Sequence, residues 1–142
     1  MSRENQRYNG GSRQTAGCIP YRYKNGELEL LLVACNNSSK GWVFPKGGWE
    51  THEMSKKEGA MRETYEEAGV RGNIGSELGT WSYKGNGSGD HVCTMFALLV
   101  TEELDSWPED QRERAWMSVE DARVACKNWW MKEALDQLIE RL

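Results

Sequence analysis

No apolar run in the chain approaches the roughly 20 residues that a membrane-spanning helix needs. The longest are residues 30–35 and 95–100, so no membrane partner is expected. There is no C-x-x-C pair. Cys18, Cys35, Cys93 and Cys126 stand far apart, which argues against a zinc site, and three of them lie in apolar segments. They read as buried free thiols of a reducing compartment, with disulfides in a secreted protein as the alternative. Internal repeats, linkers and low-complexity tracts are absent. The polar start over residues 1–12 lacks the apolar stretch of a secretory leader, so a cytoplasmic or nuclear setting is expected. A secreted protein acting in a host, with its leader removed, would read the same. An excess of positive charge is missing too. With a formal net charge of −4, general attraction to nucleic acid or an anionic membrane is not expected, and an anionic ligand must be met by a local basic cluster.

The 142 residues, 38% hydrophobic and 28% charged, suit one ordinary globular domain with its own core. The expected organisation is a mobile arm over residues 1–12, then a single domain over 13–142. Apolar runs at 16–23 and 27–34 flank Lys24-Asn25-Gly26 and read as a β-hairpin, with Pro20 placing the first strand at an edge or bulge. Short strands are expected at 42–44, 79–83 and 115–117, and a long one, buried on both faces, at 91–101. Ser55-Lys56-Lys57-Glu58 fits a capping box and Gly69 a left-handed stop, which predicts a helix over 56–68. A second helix should start at Ser118 and end near Cys126. A third should reach the C-terminus, with Trp130, Ala134, Leu138 and Leu142 on one stripe. The fold class is α/β (α+β): a mixed β-sheet sandwiched between helices.

On the first helix Glu63, Glu66 and Glu67 stand at i, i+3 and i+4, so their carboxylates leave one face near its C-terminal end. Three like charges beside the negative end of a helix dipole call for a compensating cation. Hard divalent ions such as Mg²⁺ prefer carboxylate and carbonyl oxygens and bridge to substrate phosphate. Such a motif is often only a solvated face, but its context is unusual. Gly47-Gly48 precede it, Arg62 adjoins Glu63, and Gly69-Val70 close it. Residues 47–70 resemble the Nudix box, a loop–helix–loop signature built on R-E-x-x-E-E. The match departs from the usual pattern in having eight residues rather than seven between Glu53 and Arg62, and in Thr64 at a usually aliphatic position.

The resemblance implies a Nudix fold and a metal-dependent pyrophosphohydrolase using Mg²⁺ or Mn²⁺. It implies metal binding by Glu63, Glu67 and Glu66, and by the carbonyl of Gly47 or Gly48. Arg62 would hold a glutamate in place, and the general base would be Glu66 or Glu67. The flanks at residues 17–22, 44–50, 107–109 and 112–116 resemble the diphosphoinositol and diadenosine polyphosphate phosphohydrolases of plants, fungi and animals, and the lengthened box looks most like fungal members. The implied partner is an anionic small molecule with a pyrophosphate linkage. Its basic contacts are expected among Arg13, Arg22, Lys40, Lys46, Arg112 and Arg114. Capped RNA is the alternative substrate, with six of the tryptophans as candidate stacking platforms. A binding module without catalysis is the remote alternative, disfavoured by the intact carboxylates.

Overall fold

The computed structural model describes residues 4–35, 41–85 and 89–142. Asn25 and Gly26 both take positive φ (54° and 80°), the turn that matches strand twist. They join β2 (Ser12–Lys24) to β3 (Glu27–Ala34) in the expected hairpin. β4 (Trp42–Val43) continues the sheet beyond β3, and β5 (Lys46–Gly48) pairs with β2. The helix α1 (Lys56–Ala68) follows, then β6 (Val70–Lys84), β7 (Asp90–Glu103) and β8 (Arg114–Ser118), and finally α2 (Val119–Ala125) and α3 (Trp129–Arg141). The main path of the sheet is β4-β3-β2-β7-β6, with β8 on β3. Only the β2–β7 pairing among these is parallel, so the sheet is mixed.

Side chains alternate across a strand, and this divides the core in two. Leu31 and Val33 of β3, with Ala16, Cys18, Phe96 and Leu98, pack under Ala60 and Ala68 of α1. Leu30 and Leu32, with Ile19 and Met95, meet Ala122 of α2 and Trp130, Met131, Ala134, Leu135 and Leu138 of α3. Continuous apolar strands are therefore explained by helices on both faces. On α3 the expected stripe holds from Trp130 to Leu138. Leu142 is 49% exposed because the helix ends at Arg141. Cys18, Cys93 and Cys126 are buried free thiols, and Cys35 is a half-buried one.

Three expectations differ from the structure. Pro20 lies within the central strand β2, not on an edge. Cys18 donates its N–H toward β5, to Pro45 O at 3.1 Å, and position 20 faces the same side. Between that bond and the Tyr21↔Leu30 pairing no described residue pairs with this side, so the missing N–H costs nothing there. β6 begins at Val70 rather than Gly79, because register shifts between Arg71/Gly72, Ile74/Glu77 and Glu77/Gly79 break the two-residue alternation that would have revealed it. Residues 4–12, expected in a mobile arm, are instead built in. β1 (Tyr8–Asn9) pairs with β2, and Gln6 bridges to Glu50.

Candidate active site

The capping residues foreseen for α1 do their work. Ser55 Oγ accepts the Glu58 N–H at 3.3 Å, and Gly69 at φ 67° ends the helix with its N–H on Tyr65 O. Glu58 itself reaches back to the Met54 N–H at 2.7 Å. At this entry Met54 stands 86% exposed. Glu53 turns inward instead. It is only 5% exposed and meets Arg62 at two points, Nε–Oε2 2.9 Å and Nη2–Oε1 3.2 Å. Arg62 also donates to Gly48 O at 2.7 Å and to Glu66 Oε1 at 3.3 Å, and stands 3.5 Å from Glu63.

β5 runs directly under the carboxylates. The Lys46 N–H donates to Glu67 Oε1 at 3.3 Å, and a Cβ on Gly47 would fall inside the Glu63 carboxylate. Glycine at 47 is thus a steric requirement of Glu63. Glu63 and Glu67 flank the same strand, while Glu66 turns toward Arg62. Among the described residues no three His, Cys, Asp or Glu side chains gather closely enough to hold a metal ion by themselves. A cation here would draw on Glu63 and Glu67 and fill its shell with carbonyl oxygen, water and substrate, as Mg²⁺ usually does. Gly48 O keeps a second lone pair beyond its bond to Arg62.

The electrostatics fit a cation. Burial first, then repulsion from Glu67, pushes the Glu63 carboxyl up to about 8, with Arg62 opposing. Burial likewise lifts Glu67 to about 7 against the pull of Arg112, while Glu109 adds repulsion. These acids are crowded and poorly hydrated, so a divalent ion would relieve both costs. Arg62 brings Glu53 the opposite influence. Burial pushes that carboxyl up, but the hydrogen bonds from Arg62 and the Glu50 N–H, with the Arg62 charge, together hold it below the usual range.

Glu67 opens onto a cleft of about 700 Å³ whose walls include Lys46, Tyr83, Lys84, Arg112, Lys127 and Trp130. Of the expected substrate contacts, Lys46 and Arg112 face this cleft, and Arg112 Nη1 lies 3.5 Å from Glu67 and 3.3 Å from Glu109. Arg13 sits beside Gly48, bonded to Gln6 Oε1 at 2.8 Å. Lys40 lies outside the described residues. Arg22 lies elsewhere, paired with Glu29 at 2.8 Å and stacked on Trp116. Arg114 is committed too. It donates to Ala68 O, Gly69 O and Leu104 O at 2.9, 3.3 and 2.6 Å and lies over Trp107 at 3.8 Å. Trp107 in turn donates to Glu67 O at 3.1 Å. The positive group needed at the C-terminal end of α1 is therefore supplied by Arg114, whose donors go to carbonyls at that end.

Sequence reasoning passed over Glu109, Arg7 and Lys127. Lys127 lines the cleft, Glu109 pairs with Arg112 and Arg7 holds the 49–53 loop, all through tertiary contacts that no local spacing announces.

Arg62 thus holds a carboxylate-bearing helix over a glycine strand, on a mixed sheet that α2 and α3 close from behind, and this arrangement suits a divalent cation beside a phosphate-binding cleft. The chain belongs to the Nudix family: the NUDIX domain matches residues 11–138. It is similar to Nudix hydrolase 17, mitochondrial, of Arabidopsis thaliana, 50% identical with 99% of this chain and 81% of that protein covered. Diphosphoinositol polyphosphate phosphohydrolase 3-alpha of Mus musculus is 37% identical, over 79% of this chain and 68% of the relative. Among solved structures, a C. elegans Ap4A hydrolase binary complex superposes with a TM-score of 0.73 at 25% identity, covering 90% of this chain and 96% of that one. The protein is an enzyme of the Nudix hydrolase class, and no helix among the described residues is long and apolar enough to cross a membrane.

Proposed function

We propose that the enzyme hydrolyses phosphoanhydride bonds in densely phosphorylated small molecules, diphosphoinositol polyphosphates first and diadenosine polyphosphates second. The observation that carries this reading is the pairing of two mutually repelling carboxylates, Glu63 buried and Glu67 largely so, with a cleft walled by Lys46, Lys84, Arg112 and Lys127. In a chain of net charge −4, that is the local basic cluster a polyanion requires. Glu63 and Glu67, with the Gly47 or Gly48 carbonyl and Glu66 nearby, would hold Mg²⁺ or Mn²⁺. Such an ion neutralises pyrophosphate charge and orients water when bound. Arg62 keeps Glu66 and Gly48 in place. Lys46 and Arg112 orient the phosphates, and Glu66 or Glu67 takes the proton of the attacking water.

The aromatic residues favour a polyanion over a capped nucleotide. Trp130 is buried and stacked on Tyr83 at 4.7 Å, and Trp81 packs against Trp130. Trp49, Trp107 and Trp116 already carry Arg7, Arg114 and Arg22 on their rings. Trp129 is 57% exposed but does not line the cleft, so among the described residues no tryptophan offers a cap base an open platform there. Incubation with Mg²⁺ or Mn²⁺ and a panel of diphosphoinositol polyphosphates, diadenosine polyphosphates, ADP-ribose, NADH and capped RNA tests the proposal. β-Phosphate release from diphosphoinositols is expected. Release of a 7-methylguanosine nucleotide with diphosphoinositols untouched would replace this reading with decapping.

A further inference from the structure

Between the end of β5 and the start of α1, residues 49–53 have no strand or helix of their own to hold them. The N-terminal segment supplies that support. Arg7 N–H donates to Trp49 O at 3.0 Å, and Thr51 N–H donates to Asn5 O at 2.6 Å. The Arg7 guanidinium then gathers three carbonyls of the loop: Glu50 O at 3.1 Å from Nε, and Thr51 O and Glu53 O each at 2.9 Å from Nη2. Its plane lies over Trp49, 4.2 Å from the ring centroid. Within the loop, Glu50 N–H donates to Glu53 Oε1 at 2.9 Å, which aims that carboxylate at Arg62. An unbroken chain of contacts thus runs from Arg7 through the Glu53 loop to Arg62, and from Arg62 to Gly48 O and Glu66.

We propose that Arg7 is a positioning residue for the metal-binding face of α1, holding the 49–53 loop so that Glu53 locks Arg62, and Arg62 locks Gly48 and Glu66. This rests on the reading of the α1 carboxylates as metal-holding. The side chain suits the task. A planar guanidinium presents its donors in a rigid fork that can serve three carbonyls at once while stacking on an indole. A lysine ammonium carries the charge without the fork. Groups that orient metal ligands from behind typically change metal affinity by about 10–100-fold when removed.

The test is calorimetric titration of the full-length, chelator-stripped protein with Mn²⁺, together with steady-state kinetics. Arg7→Ala should weaken Mn²⁺ binding by about tenfold or more. Its kcat should fall and its KM for a diphosphoinositol substrate should change little. Arg7→Lys, which keeps the charge and the fold, should lie between Arg7→Ala and wild type. Ile139→Ala, which thins the core beneath α3 on the opposite face of the sheet, should lower Tm and leave Mn²⁺ affinity unchanged. Adding Glu53→Gln to Arg7→Ala should weaken Mn²⁺ no further than the worse single variant, because both break one chain of contacts. Unchanged Mn²⁺ affinity in Arg7→Ala and Arg7→Lys, or fully additive losses in the double variant, would overturn the proposal. Wild-type protein that binds Mn²⁺ but cleaves no phosphoanhydride would refute the proposed function and leave Arg7 judged on metal affinity alone. Wild-type protein that binds no Mn²⁺ would remove both.

Discussion

Arg62 and Glu53 close a two-point ion pair across the lengthened entry to α1, at 2.9 and 3.2 Å, with Glu53 almost fully buried. At the same entry Met54 stands exposed while Glu53 keeps its arginine, since burying a carboxylate without one would cost more than exposing one methionine.

Glu67→Gln should abolish turnover while leaving the metal-free fold at least as stable. Residues behind metal ligands change affinity or activity by about 10–100-fold, so removing a ligand charge should exceed that. The amide cannot reproduce a carboxylate's pull on a divalent ion, yet it removes a buried charge that Glu109 repels and that itself repels Glu63. In chelator, Tm should hold or rise. Saturating Mg²⁺ should raise the Tm of wild type and much less that of the variant. Near-normal kcat, or equal Mg²⁺ shifts in both proteins, would return these glutamates to an ordinary charged face.

Gly47→Ala should lower activity more than stability. The added methyl meets the Glu63 carboxylate, so that side chain must turn away from the strand. Thermal melts and Mn²⁺ titration together check this. A variant with unchanged Mn²⁺ affinity would show that Glu63 has room to spare.

Arg114→Ala should act on folding rather than on substrate selection. Its guanidinium, 15% exposed, donates to three carbonyls around the end of α1, and one such charge-assisted bond is worth about 1.5–3 kcal/mol. Urea unfolding should show a loss at least that large. KM should shift alike for diphosphoinositol and dinucleotide substrates. A selective rise for the more phosphorylated one would restore Arg114 as a substrate contact.

Stability of the metal-free protein should fall as pH rises from about 5 to 8. Glu63 and Glu67 are lifted from an ordinary 4.5 to about 8 and about 7, so in that window the folded protein holds more protons than the unfolded chain. Stability then declines with pH until both acids are ionised in the fold. A cation must displace those protons, so the Tm gain from Mg²⁺ should grow over the same range. Melts in chelator that are flat, or that rise, between pH 5 and 8 would contradict this, and Glu63→Gln should flatten the slope.

The limits of α1 were legible because local chemistry sets them. Ser55, Glu58 and Gly69 satisfy the helix ends within a few residues, and the i, i+3, i+4 spacing alone puts Glu63, Glu66 and Glu67 on one face. The Asn25-Gly26 hairpin and the two-faced burial of β7 follow from similarly short-range signals. Bulged β6 and the short β5 carry no clean period, and their place is decided by the strands beside them.

Sequence alone therefore determined the family, the sandwich of helices about a mixed sheet, and the carboxylate helix, all through patterns that span a turn or a strand. Which cations serve that helix was decided only by the tertiary structure. Arg114, counted by charge with Lys46 and Arg112, is drawn to the carbonyls at the end of α1, while those two reach the cleft. Arg7, in a segment that reads as a free arm, lies across the loop of the box. The physical reason is common to both: an arginine goes to whichever unsatisfied oxygens the folded backbone brings within hydrogen-bond reach, and that depends on residues 40 to 50 positions away in the chain.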